Sequence, residues 1–144
     1  MKTGLIFYFV LVLIGTGCHK ESSKNDQLSL LKTKWILSYI QDTKTNAVIN
    51  YPNDATKVIS IVFSDSSNVV SFKGVCNSGQ GKFSISSIND SIKITLLGTT
   101  KIACKYVEWE SYTTTNLYNA FKFKINGGNL EVYSKGAYNL YFKQ

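Results

Sequence analysis

Apolar and polar residues alternate along most of this chain, and a period of two marks half-buried β-strands with one dry and one wet face. Residues 33–40, rich in β-branched and aromatic side chains, read as a first strand, and a loop holding the only proline, Pro52, follows. Residues 57–63 read as a second, with Ile59, Ile61 and Phe63 on one face. Turn chemistry at 65–68 (Asp-Ser-Ser-Asn) precedes Val70 and Phe72, which alternate with Ser71 and Lys73. Phe83 and Ile85 then alternate with Lys82, Ser84 and Ser86, and Ile92, Ile94 and Leu96 alternate with Ser91, Lys93 and Thr95. Phe121, Phe123 and Ile125 lead into Asn126-Gly127-Gly128-Asn129. That is a hairpin signal, because a tight turn needs positive φ at both central positions. Strands at 130–134 and 137–142 end the pattern.

One segment breaks the period. Between residues 105 and 120, Trp109, Tyr112, Leu117 and Ala120 fall near helical spacing, with Glu108 and Glu110 in the first turn, where acids suit the helix dipole. One helix among about eight antiparallel strands predicts a mainly β fold: a small barrel or strongly bent sheet with the helix over one open side.

The first 17 residues read as a leader. Lys2 precedes a run of ten apolar residues, 5–14, half of the roughly 20 needed to cross a bilayer. Gly15, Thr16 and Gly17 then lead to Cys18, which resembles a bacterial lipobox with Cys18 as the lipidation site. Residues 18–27 read as a lipidated polar tether, leaving 28–144 as one domain of sufficient size for a real core. The expected location is the bacterial cell envelope, on the outer membrane, held by acyl chains that include palmitate.

Charge adds little to this picture. The formal net charge is +7, all of the cations are lysine, and lysines such as Lys73, Lys82, Lys93, Lys122 and Lys124 alternate with apolar neighbours. That is the pattern of solvated strand faces, and without arginine there is no bidentate phosphate or base recognition, so nucleic acid is not an expected partner.

Cys76 and Cys104 lie in the segments Gly74-Val-Cys-Asn-Ser-Gly-Gln-Gly-Lys-Phe83 and Thr99-Thr-Lys-Ile-Ala-Cys104. In an exported chain the pair reads as a disulfide rather than as two nucleophiles or a two-thiol zinc site. Together with the early tryptophan strand, the acidic helix and the terminal hairpin, these segments resemble the META domain, the HslJ-like family of bacterial envelope and heat-shock-associated proteins. The motif positions carried over are Cys76, Asn77, Gly81, Phe83, Thr100, Ala103, Cys104 and Glu110. The family pattern has glycine directly before the first cysteine, where this chain has Val75 with Gly74 one step earlier, and methionine where it has Ile102. The resemblance implies a lipocalin-like β-barrel with a helix, an envelope or stress-response setting, and no enzymatic activity.

No catalytic set is apparent. The only histidine, His19, adjoins Cys18, which excludes the usual general base and any Ser-His or Cys-His arrangement in a folded site. Gly79-Gln-Gly-Lys82 lacks the Ser/Thr and the following helix of a phosphate loop. No cofactor or metal site is expected, and the chain is taken as a monomer. The reading is a non-enzymatic, membrane-anchored envelope lipoprotein in envelope integrity, stress tolerance or the binding of an envelope protein partner. Its expected binding surface joins residues 76–83 to the helix beginning near Lys105. The alternative is a lipocalin-like carrier of a small apolar ligand in a hollow barrel.

Overall fold

The computed structural model describes residues 29–86 and 88–144, so the leader, Cys18 and the tether lie outside the described residues. Among the described residues, nine antiparallel strands and the twelve-residue helix α1 follow in the order β1 (Lys34–Asp42), β2 (Val48–Asn50), β3 (Ser60–Ser64), β4 (Val69–Lys73), β5 (Ser78–Ser86), β6 (Ser91–Thr99), α1 (Val107–Tyr118), β7 (Ala120–Asn126), β8 (Asn129–Ser134) and β9 (Tyr138–Lys143). Strands β3 to β9 pair in sequence, and β9 returns to β1, closing an eight-stranded barrel. The bent-sheet-or-barrel expectation is thus resolved as a closed barrel with one helix.

Strand β2 was not expected. It pairs with Tyr39–Gln41 on the edge of β1 whose first residues, Lys34 to Ile36, pair with β3. All three of its residues are exposed, so no dry face marked it in the sequence. A bulge at Ser38 separates the two halves of β1. It also shifts the phase of the core positions, which run Trp35, Leu37 and then Ile40.

The interior is filled by large side chains. Trp35, Ile40, Ile59, Ile61, Phe63, Phe123, Leu130 and Leu140 are fully buried, and Leu30 closes over them, its carbonyl accepting the Trp35 indole N–H at 3.1 Å. Phe83 meets Phe63 edge-on, 5.1 Å between ring centres.

Two expectations need correction. Phe121 does not share the dry face of Phe123, because a bulge between Ala120 and Lys122 buries Ala120 and turns Phe121 outward. The helix spans Val107–Tyr118 rather than reaching Ala120, and its covered face is largely polar: Glu110, Thr113 and Asn116 are buried with Trp109 and Leu117, while Tyr112 is exposed. The hairpin turn is as read: Gly127 and Gly128 have φ of 55° and 80° between the paired Asn126 and Asn129.

Candidate functional site

The motif residues meet where the β4–β5 turn, the segment after β6 and the first turn of α1 come together. Cys76 and Cys104 are joined in a disulfide, with an S–S distance of 2.02 Å and Cα atoms 6.5 Å apart. Beside it, Glu110 is only 4% exposed. Its Oε1 accepts the backbone N–H groups of Cys76 at 2.7 Å and Asn77 at 3.1 Å, and its Oε2 accepts the Asn77 amide at 2.6 Å. The same Asn77 amide donates to the Ile102 carbonyl at 2.9 Å, while its Oδ1 accepts the Thr100 hydroxyl at 2.9 Å and the Ile102 N–H at 2.7 Å. Thr100 in turn accepts the N–H of Ser78 at 3.1 Å. Every polar atom of the Asn77 side chain is therefore used, and both Glu110 oxygens are occupied, which is what burial of such groups demands.

Gly74 makes this approach possible. A Cβ there would fall 2.4 Å from Glu110 Oε1, so the glycine one step before the family position leaves room for the carboxyl group. Gly81 and Phe83 lie elsewhere. Gly81 is buried at a bulge between β5 and β6, and Phe83 packs into the core. Ala103 lines a groove of about 400 Å³ beside α1 with Thr100, Lys101, Ile102, Ser111 and Thr114.

Sequence reasoning missed a second tie at the other end of α1. Asn116 Oδ1 accepts the Ser134 hydroxyl at 3.2 Å and the N–H of Tyr138 at 3.0 Å, and its amide donates to the Tyr112 carbonyl. A Cβ on Gly136 would meet Asn116 Oδ1 at 2.4 Å. The signal was present but weak: a poor helix former inside a helix, and a glycine in the turn it faces. At the N-terminus, Tyr106 has φ of 69° and its hydroxyl donates to Asp54, which also pairs with Lys105 at 3.2 Å. Tyr51 packs edge-on to Trp109 at 5.3 Å; burial, and then the nearby Glu110, push its phenol above the ordinary value.

The sulfur and carboxyl atoms of Cys76, Cys104 and Glu110 lie within 4.8 Å of one another. With the sulfurs joined and the carboxyl oxygens held by N–H donors, the cluster fastens three chain segments rather than offering free ligands or a nucleophile.

The META domain model matches residues 27–144. This chain belongs to the META domain family. Among solved structures, the chain is similar to a protein from Burkholderia xenovorans determined by NMR, at 18% identity and a TM-score of 0.66, covering 81% of this chain and 83% of that one. It is also similar to a DUF4847 family protein from Bacteroides vulgatus, at 10% identity and a TM-score of 0.64, covering 81% and 95%. At these identities the likeness is one of fold. No protein in the curated set matches significantly in sequence. Of the positions carried over from the resemblance, Cys76, Asn77, Thr100, Cys104 and Glu110 are spent on holding the helix to the barrel.

Proposed function

We propose that this META domain protein is a non-enzymatic lipoprotein of the bacterial cell envelope, anchored to the outer membrane through Cys18, which acts by binding an envelope protein in integrity or stress tolerance. The observation that carries the binding reading is the fastening of the rim. A disulfide and a saturated Glu110–Asn77 network hold the β4–β5 turn, residues 99–104 and α1 as one unit. A surface already ordered loses little conformational entropy on association. Ile102, 57% exposed beside the 400 Å³ groove, supplies an apolar anchor on that unit. The filled interior, with Trp35, Phe63, Phe123 and Leu140 at 0% exposure, favours an external surface over carriage of a ligand inside the barrel.

Two experiments test the halves separately. Cells supplied with a clickable fatty acid should label the wild type and not Cys18→Ala; equal labelling removes the anchor. A variant combining Gln80→Ala, Lys82→Glu, Ile102→Asp and Lys105→Glu, shown to keep its thermal midpoint, should fail to complement a deletion strain under envelope stress. Full complementation by that variant removes the rim as the binding surface.

A further inference from the structure

On the other side of the disulfide lies a second groove, of about 510 Å³, whose lining differs in kind from the first. Lys34 from β1, Lys57 from the loop before β3 and Lys73 from β4 line it, together with Thr56, Ser60 and Ser78. No acidic residue lines it. The register explains how the strand residues converge: Ser60 is opposite Lys73, which is opposite Ser78, so the three form one row on one face of β3, β4 and β5. Lys34 stands two residues before Ile36, the partner of Ser60 on β1.

Three like charges lining one groove repel one another, and with no acid in the lining they favour an anion there. Among the described residues, Lys34, Lys57 and Lys73 make no ion pair and no side-chain hydrogen bond. Asp54 is taken up by Tyr106 and Lys105, and Glu110, behind the groove residues Gly74, Cys76 and Asn77, accepts the N–H groups of Cys76 and Asn77. Ser60 is the second observation. It is 4% exposed, yet its hydroxyl has no hydrogen-bond partner among the described residues. The hydroxyl is not sealed from solvent, since Asp90 Oδ1 is the one fully buried side-chain polar atom without a partner among the described residues, and Ser60 lines the groove together with the three lysines. The hydroxyls of Thr56 and Ser78 are likewise without partners among the described residues.

We propose that this groove is an oxyanion site for a phosphate group, with Ser60 donating at its base and Lys34, Lys57 and Lys73 supplying charge around it. Lysines act here as point charges, which suits a monoester or terminal phosphate met from several directions rather than a planar bidentate carboxylate. The groove shares Cys76, Asn77 and Ser78 with the rim proposed to bind a partner, but its lysines are not among the rim positions substituted above, so the two readings are tested independently.

The test is amide NMR of the mature chain titrated with inorganic phosphate. Saturable shifts centred on Ser60, Lys73 and Ser78 are expected, abolished in Lys34→Gln/Lys57→Gln/Lys73→Gln. Ser60→Ala should weaken binding several-fold while keeping the salt dependence, since it removes a donor and no charge. Flotation of the unacylated Cys18→Ala chain with phosphatidate vesicles, with phosphatidylcholine as control, identifies the source. Phosphate shifts without flotation mean a free phosphate ligand, and flotation lost in the triple variant means a lipid headgroup. Shifts spread evenly over distant lysines such as Lys93 and Lys124, or binding unchanged in the triple variant, overturn the proposal.

Discussion

Between β1 and β9 the backbone closes the barrel by itself, pairing from Ile36–Lys143 to Asp42–Tyr138 around the bulge at Ser38, whereas β6 and β7 pair, among the described residues, only at Ser91 and Lys122. The chain leaves β6 for α1 before it returns as β7, so the helix stands where the ladder is short. There the fastening passes to side chains: the disulfide, Glu110 and Asn77 at one end of α1, Asn116 and Ser134 at the other. A backbone ladder tolerates many sequences, because its donors and acceptors belong to every residue. A buried carboxyl matched to two N–H groups and an amide tolerates almost none. This difference accounts for where five of the expected motif residues lie. Cys76, Asn77, Thr100, Cys104 and Glu110 all belong to the side-chain closure, and none to the β1–β9 ladder.

The comparison can be broken from either side. Phe142, opposite Leu37 in the β1–β9 ladder and 1% exposed, tests the wall. Phe142→Ala should cost about 3–5 kcal/mol in urea unfolding, through lost burial and a cavity. A loss below about 1 kcal/mol would mean that the ladder holds without its packing.

On the other side, replacing Cys76 and Cys104 together by serine opens a loop with a sequence separation of 28. On loop-closure entropy alone this should cost roughly 3–4 kcal/mol, matched by the wild type in reductant. Reductant should leave the double variant unchanged. If wild type and double variant unfold at the same denaturant concentration, the covalent part of the side-chain closure contributes nothing.

Glu110→Ala leaves the N–H groups of Cys76 and Asn77 buried without an acceptor, and about 2–3 kcal/mol should be lost. Glu110→Gln keeps an acceptor for both and should cost about half as much, the remainder arising where two amides face each other. Combined with the cysteine replacements, Glu110→Ala should be clearly non-additive, because both hold the same turn. Additive losses in that cycle would separate the two fastenings that the geometry joins.

The smallest effect is on acid stability. The N–H groups of Thr45 and then Lys44 hold the Asp42 carboxyl below its ordinary value of 3.8, and the Tyr106 hydroxyl and Lys105 do the same for Asp54. A folded pKa below the unfolded one adds stability above the ordinary value and loses it as pH falls through the lower folded value. Asp42→Asn and Asp54→Asn should each flatten the fall of thermal midpoint at pH below about 4, with little change near neutrality. Asp42 serves the barrel wall and Asp54 the start of α1, so unequal flattening would rank the two regions. An acid limb untouched by either substitution would show that neither contact shifts the equilibrium.

How much of this was legible in the residues differs between the regions in the same way. The wall could be read from alternation alone: Ile61 and Phe63, Val70 and Phe72, Ile92 and Ile94 sit on the dry face where a period of two puts them. The Gly127-Gly128 turn was legible too, because a two-residue hairpin leaves few residues able to fill it. Strand β2 was not, since Val48 and Ile49 stand side by side without alternation and both are exposed. Nor was the outward turn of Phe121, because a bulge shifts the phase of alternation without altering composition.

The sequence by itself determined which faces are dry, where the tight turn falls, that two cysteines could be joined, and that the chain resembles the META domain. The tertiary structure alone decided what Glu110 does. An acid in the first turn of a helix reads as a partner for the dipole, and only the approach of Gly74 makes it the acceptor for a turn 34 residues away in sequence. It also decided that Lys34, Lys57 and Lys73, which in sequence look like separate wet positions, share one groove around Ser60. Alternation is a local property, set by the two-residue repeat of an extended backbone. The meeting of charges and polar atoms depends on register and bulges, which are fixed only when the whole barrel closes.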